Sequence, residues 1–176
     1  MYNDVQQKIL SDLSLSNSTS FKKITSKNAT KEFILECIKI NAHIVLSYFP
    51  YKFLELTNDI SNEIINKNKA LIDEIPFEHI TFDMAKSVVE FDARYLNSIP
   101  DIFKTKELLF AALSKDGCVL KYVPFELRDK EICLKAIENS IYSFEYIPTM
   151  IKNASFYEEA LKINPCIKQY LPKYLQ

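Results

Sequence analysis

TKELLFAALSKDGCVLKYVPFELR, residues Thr105 to Arg128, decides the architecture, because its landmarks return on both sides at one interval. Pro76, Pro100, Pro124, Pro148 and Pro172 follow one another at steps of 24 residues, and Thr57, Thr81, Thr105, Asp129 and Asn153 keep the same step. Two unrelated residue classes share one period. A repeat of that length, without glycine-rich or alternating strand-like sequence, specifies stacked helical units that bury their apolar faces only against their neighbours.

Within the stretch, Thr105 is the expected N-cap of a first helix, and Glu107 puts negative charge where the helix dipole favours it; Asp59, Asp83 and Glu131 repeat the device. Leu108, Leu109, Ala112 and Leu113 form a buried stripe, matched by Ile60, Ile64 and Ile65, by Met84, Val88 and Val89, and by Ile132, Ala136 and Ile137. Asn68, Asp92, Asp116 and Asn164 mark the turn that follows, where Asn and Asp tolerate left-handed backbone; Ser140 replaces them once. A short second helix should stop near Val123, since the residue before a proline disfavours helical geometry, and Pro124 then suits the first position of a one-turn helix ending near Arg128.

Three columns extend outward from there. Phe49, Ile75, Ile99, Val123, Ile147 and Leu171 precede the prolines, and Phe53, His79, Phe103, Leu127, Ile151 and Leu175 follow them by three. Leu46, Ile72, Leu96, Leu120 and Phe144 stand four before the prolines, and Lys168 ends that column in a charge, as expected of a polar terminal cap completed by Lys173 and Gln176. Thr30 to Leu56 reads as the first clear unit, lengthened within Tyr51 to Leu56 because Pro50 and Pro76 stand 26 apart. Before it, Val5, Ile9 and Leu13 behind Asn3 and Asp4 make a short amphipathic helix. The expected fold is therefore an all-α solenoid of about six stacked helix-turn-helix repeats of ~24 residues. An N-terminal capping helix and linker occupy 1–28, and one continuous array occupies 29–176.

The run Phe125-Glu126-Leu127-Arg128-Asp129-Lys130-Glu131-Ile132-Cys133-Leu134-Lys135-Ala136-Ile137, followed by Tyr146-Ile147-Pro148, resembles a family of tandem helix-pair repeats from bacteria and protists known only as a domain of unknown function. Its units have the form ELR-x-KE-I-x-L-x-A-I, then N-G, then L-x-Y-x-P. Thr105 to Pro148 carries the likeness; Ser98 and Glu74 replace the tyrosine, and Asn139-Ser140 replaces Asn-Gly. The resemblance implies an all-helical stack and no known activity.

Composition excludes several chemistries. Gly117 is the one glycine of 176 residues, so phosphate-cradling loops are not expected, and Arg94 and Arg128 are the only arginines in a chain of net charge −1, so a general nucleic-acid binder is not expected. Cys37, Cys118, Cys133 and Cys166 lack metal-ligand spacing and are expected as buried reduced thiols. His43 and His79 have no nucleophile at a matching interval, and adjacent acids such as Asp73-Glu74 and Glu158-Glu159 point to different sides of a helix. No enzymatic activity, cofactor or metal is expected. No apolar run approaches the ~18 residues of a membrane span, and MYNDVQQK lacks a secretory signal's features, so a cytoplasmic location is expected.

Two surface features point to binding. Tyr122, Tyr146 and Tyr170, with Tyr48, share the place two before the proline, and tyrosine combines contact area with a polar tip. The span from Phe53 to Phe103 holds ten acids against four bases, and Asp73, Glu74, Glu78, Asp83 and Glu90 lie in it. Such charge steers a basic partner. The expected function is a non-catalytic protein-interaction module, a monomer or weak homo-oligomer, acting as a stand-alone inhibitor or adaptor of a larger target. An alternative, suggested by an Ile/Lys/Asn-heavy sequence, is a bacterial or phage antagonist of a nucleic-acid-handling complex, of the anti-defence kind. A further alternative is a single-strand nucleic-acid binder using Lys22, Lys23, Lys27 and Lys31 with the tyrosines, and a last one is a purely structural or self-associating segment. Replacing Asp73, Glu74, Glu78, Asp83 and Glu90 with Lys is expected to abolish binding to a basic partner; unchanged affinity at low salt in a titration rules out the acidic-surface version.

Overall fold

The computed structural model describes residues 2–24, 29–48 and 58–173, the side chains of Phe21, Lys22 and Tyr48 excepted. Every described regular element is a helix. Seven α-helices run Asp4–Ser14 (α1), Lys31–Tyr48 (α2), Asn58–Lys67 (α3), Phe82–Phe91 (α4), Lys106–Lys115 (α5), Lys130–Asn139 (α6) and Ala154–Ile163 (α7). From α3 onward each is followed by a six-residue 3-10 helix, and from α3 to α6 that segment is followed by a proline and a one-turn 3-10 helix. The chain divides into two compact units, Met1–Met84 and Ala85–Gln176.

Caps fix where the first helix of each repeat starts. Thr30, Thr81 and Thr105 accept from the backbone N–H three residues on, each at 3.3 Å, and Asp129 and Asn153 do the same at 2.8 and 3.0 Å. Each such cap contributes about 1 kcal/mol. The stripes contribute more, since a fully buried Leu or Ile is worth roughly 1.5–3 kcal/mol and each helix buries several. Leu108, Leu109, Ala112 and Leu113 of α5, and Ile132, Cys133, Ala136 and Ile137 of α6, are all buried. Capping sets the boundaries, and burial holds the helices together.

In the first unit α1 packs on α2 and α2 on α3. A capping box starts α1: Asn3 Oδ1 accepts from Gln6 N at 2.9 Å, and Asn3 N donates to Gln6 Oε1 at 3.0 Å. Ser16 then takes left-handed backbone, φ 54°, and the buried Asp12 carboxylate accepts from Ser20 Oγ, a bond that holds its pKa below the usual value. In α2 the backbone leaves helical geometry at Asn41 (φ −154°, ψ 88°), whose Oδ1 accepts from Ile44 N at 3.2 Å. Asn41 thus divides α2 into a first and a second helix of one repeat, a turn the sequence reading did not identify.

In the second unit α5 packs on α6 and α6 on α7, while Ala93–Ser98, Gly117–Tyr122 and Ile141–Tyr146 stack in the same order. Exposed pairs cross between repeats, with Lys86 Nζ 3.4 Å from Glu107, Lys130 Nζ 2.6 Å from Glu159, and Lys106 bonded to Glu131. Solvent screens such pairs, so they decorate the seam more than they secure it.

The columns before the prolines are core. Ile75, Ile99, Val123 and Ile147 are buried, as are Leu46, Ile72, Leu96, Leu120 and Phe144, and Lys168 is exposed. Four expectations need correction. Asn68, Asp92, Asp116 and Asn164 are extended, with φ between −140° and −151°, not left-handed. Each closes the first helix with its own N–H and opens the second segment with its side chain, which accepts from the N–H two residues on, and an N-cap needs extended backbone. Pro124 stands at the cap of its one-turn helix, with ψ 140°, one place earlier than expected, and its carbonyl accepts from Leu127 N at 3.0 Å. The column three after the prolines is not core: His79, Phe103 and Ile151 are half-buried and Leu127 is exposed, because a single 3-10 turn is too short to lay a stripe inward. Cys37 and Cys133 are buried, but Cys118 is half-buried and Cys166 exposed, both being second in their 3-10 segments. Thr57, Phe49, Pro50, Phe53, Lys27, Leu175 and Gln176 lie outside the described residues.

Gly117 is required by contact. A Cβ there would stand 2.2 Å from the carbonyl oxygen of Ala136 and 2.9 Å from Ser140 N, both backbone atoms of the next repeat. Asn139 draws the repeats together at this point: its Oδ1 accepts from Gly117 N at 2.8 Å and its Nδ2 donates to Ser114 O at 2.9 Å. Gly117→Ala is expected to lower stability by about 3 kcal/mol, the upper end for overpacking because main chain and not a side chain must move, as a urea titration will measure. Burial also pushes the Cys37 and Cys133 thiols up to about 12 from an ordinary 9.0. Between those values unfolded thiols ionise while folded ones keep their protons, so the unfolded state binds fewer protons and stability falls as pH rises. Brief alkylation followed by mass spectrometry is expected to label Cys166 first, and Cys37 and Cys133 only on unfolding.

Candidate interaction surface

The tyrosine column closes the seam between repeats. Tyr122, Tyr146 and Tyr170 are half-buried, and Tyr48's side chain is outside the described set. The main chain of Tyr122 and Tyr146 is tied to the preceding repeat: Lys104 Nζ donates to Tyr122 O at 2.9 Å, and Arg128 donates to Tyr146 O at 2.8 Å. Lys104 is buried and also meets Asp101 at 2.8 Å, while Arg128 further donates to Val123 O at 2.9 Å and Lys121 O at 3.2 Å. The third cation of this column, Lys152, sits 4.3 Å from the centre of the Phe144 ring, and burial pushes its pKa down. The Tyr170 ring stacks on Phe144 at 4.5 Å, and Lys121 lies 4.8 Å over Tyr122. Sequence reasoning missed these cations, although a base recurs every 24 residues at the last place of the repeat in Lys104, Arg128 and Lys152.

The five acids are all exposed. Asp73, Glu74, Glu78 and Asp83 belong to the first unit and Glu90 to the second. Asp83 stands in the first turn of α4, where the helix dipole accommodates it. Asp73 and Glu74 come together at a shallow cavity of about 270 Å³ that Ile75, Pro76 and Phe77 complete. Of the basic residues proposed for nucleic acid, Lys23 is exposed and Lys31 is held by Asp59 at 2.6 Å.

A further surface was not anticipated. The one-turn helices after the prolines expose large apolar side chains: Phe77 in the first unit, and Ile102, Phe125 and Met150 in the second, at 70, 82, 54 and 79%. Each occupies the first or second place after its proline, and in three of the four turns the other place is acidic, giving Phe77-Glu78, Asp101-Ile102 and Phe125-Glu126. Leu127, exposed at 40%, adjoins a cavity of about 200 Å³ in the second unit, lined also by Leu109, Ile132, Lys106, Glu126 and Asp129. The signal lay in the sequence as an apolar residue within two places of Pro76, Pro100, Pro124 and Pro148, paired with an acid after the first three. Taking the residue three after each proline as the apolar column passed over the two places before it.

Among the described residues no group of three His, Cys, Asp or Glu side chains could hold a metal ion, and no helix is long and apolar enough to cross a membrane. The arrangement offers shape, apolar area and carboxylates for contact.

The sequence profile of a family described as a domain of unknown function, DUF4116, matches residues 81–128, 105–152 and 129–176. The three matches overlap, and each begins 24 residues after the last, so the profile spans two repeats and advances by one. No curated protein and no solved structure matches the chain. With more than half its length covered by these tandem matches, in an all-α repeat fold, the chain belongs to the DUF4116 family.

Proposed function

We propose that this protein is a non-catalytic interaction module that binds a larger protein through the turns after its prolines, acting as an inhibitor or adaptor. The observation that carries the reading is the recurrence of a solvent-exposed large apolar side chain on successive turns of the second unit, at Ile102, Phe125 and Met150. A soluble domain gains nothing in stability from displaying such residues, and repeated display on stacked units makes an extended contact surface. Glu126 beside Phe125 favours a partner face that is apolar with a basic margin, in keeping with the acidic excess between Phe53 and Phe103.

Affinity capture from extracts of the source organism with the wild-type chain and with Ile102→Asp/Phe125→Asp/Met150→Asp tests this. A partner retained in stoichiometric amount by the wild type, and bound at least about tenfold more weakly by the triple variant, is expected. Equal retention by both, with matching circular dichroism, overturns the assignment to these turns.

A further inference from the structure

We infer that the groove formed by Asp73 to Phe77 in the first unit receives an arginine side chain of the partner protein. The inference rests on the interaction-module reading and names the chemistry of one contact.

The groove has a volume of about 270 Å³ and is lined by Asp73, Glu74, Ile75, Pro76 and Phe77. Its apolar part comprises Pro76, the buried Ile75, and Phe77, which is 70% exposed. Among the described residues its polar part is anionic. Asp73 and Glu74 line it, and Glu78 stands next to Phe77 on the following turn. Among the described residues Glu74 has no ion-pair partner, whereas Asp73 already takes part in an interaction, so Glu74 carries the charge argument.

An occupant must combine an apolar stem, a flat face to lie on a phenyl ring and positive charge for the carboxylates of the lining. A purely apolar side chain would bring Glu74 toward a low-dielectric contact without compensation. A guanidinium meets all three demands, being planar, weakly hydrated, able to stack on an aromatic face and able to donate in a fork to carboxylates. A lysine ammonium is a point charge that holds its water more strongly, so it gains less from the ring.

The groove's backbone is held independently of any occupant. Asn68 Oδ1 accepts from Ala70 N at 3.0 Å to open the segment Lys69–Glu74, Ile75 N donates to Ile72 O at 3.1 Å to close it, and His79 N donates to Pro76 O at 2.9 Å to fix the next turn. The site is built before binding, which lowers the cost of ordering it.

The test uses the full ¹⁵N-labelled chain and three small probes: N-acetylarginine methyl ester, N-acetyllysine methyl ester and N-acetylnorleucine methyl ester. The arginine ester is expected to give saturable amide shifts confined to residues 73–79, with Kd on the order of tens of millimolar for so small a ligand. The lysine ester should bind several-fold more weakly and the norleucine ester not at all. Glu74→Gln and Phe77→Ala should each remove most of the arginine response, and added salt should weaken it. No saturable shift at these residues, an equal response to norleucine, or an arginine response indifferent to both substitutions overturns the site; lysine binding as tightly as arginine overturns the guanidinium assignment. Ile102→Asp/Phe125→Asp/Met150→Asp should bind the arginine ester like the wild type, so a failed groove and a failed interaction surface give different results.

Discussion

One extended Asn or Asp at the twelfth place of the repeat is the constraint from which the rest of the architecture follows. Its N–H ends the first helix by bonding four residues back, and its side chain starts the second segment by accepting from two residues ahead, as at Asp92 and Asp116. Because one residue is both the end of one helix and the cap of the next, no loop intervenes and the direction of the chain changes at a point. The stripe of the first helix and the apolar places of the second are thereby fixed on one side. Where Ser140 lacks the side-chain bond, its neighbour Asn139 reaches back to Ser114 and Gly117 instead, and the repeats approach so closely that only glycine fits.

Stacking brings a second set of bonds into reach. The tight second segments end before a proline, and their last carbonyls lack partners of their own. In the second unit a cation from the end of the preceding repeat supplies the donor, Lys104 for Tyr122 and Arg128 for Tyr146. These bonds tie the backbone of Tyr122 and Tyr146 to the repeat before each. Arg128 joins three carbonyls from one planar group, Lys121 and Val123 of its own repeat and Tyr146 of the next, a geometry an ammonium could not reproduce.

The same economy leaves the turns after the prolines with little structural work. A single 3-10 turn has too few residues to bury a face, and the core is already closed by the residues before the proline, Ile75, Ile99, Val123 and Ile147. Apolar residues placed on those turns therefore meet solvent, and a repeat fold converts a local excess into a series. Membership of the family establishes the stack and assigns no chemistry to it, since fold and function are separable.

The sequence by itself determined the helical class, the period, the caps, the core stripes and the columns before the prolines, because these depend on local capping chemistry and on residues three and four apart, whose geometry is the same in any helix. It could not distinguish an Asp that turns left-handed from one that caps two segments at once, because the same side chain suits both, nor show that Leu127 faces water while Leu120 does not, because a single 3-10 turn lays no stripe inward. Gly117 illustrates the division: its rarity was visible in the chain, but the reason for it is the Ala136 carbonyl, 19 residues away and adjacent only after stacking. Periodicity is written along one strand of sequence, whereas exposure and close approach are properties of pairs of repeats, and only the tertiary structure sets those pairs side by side.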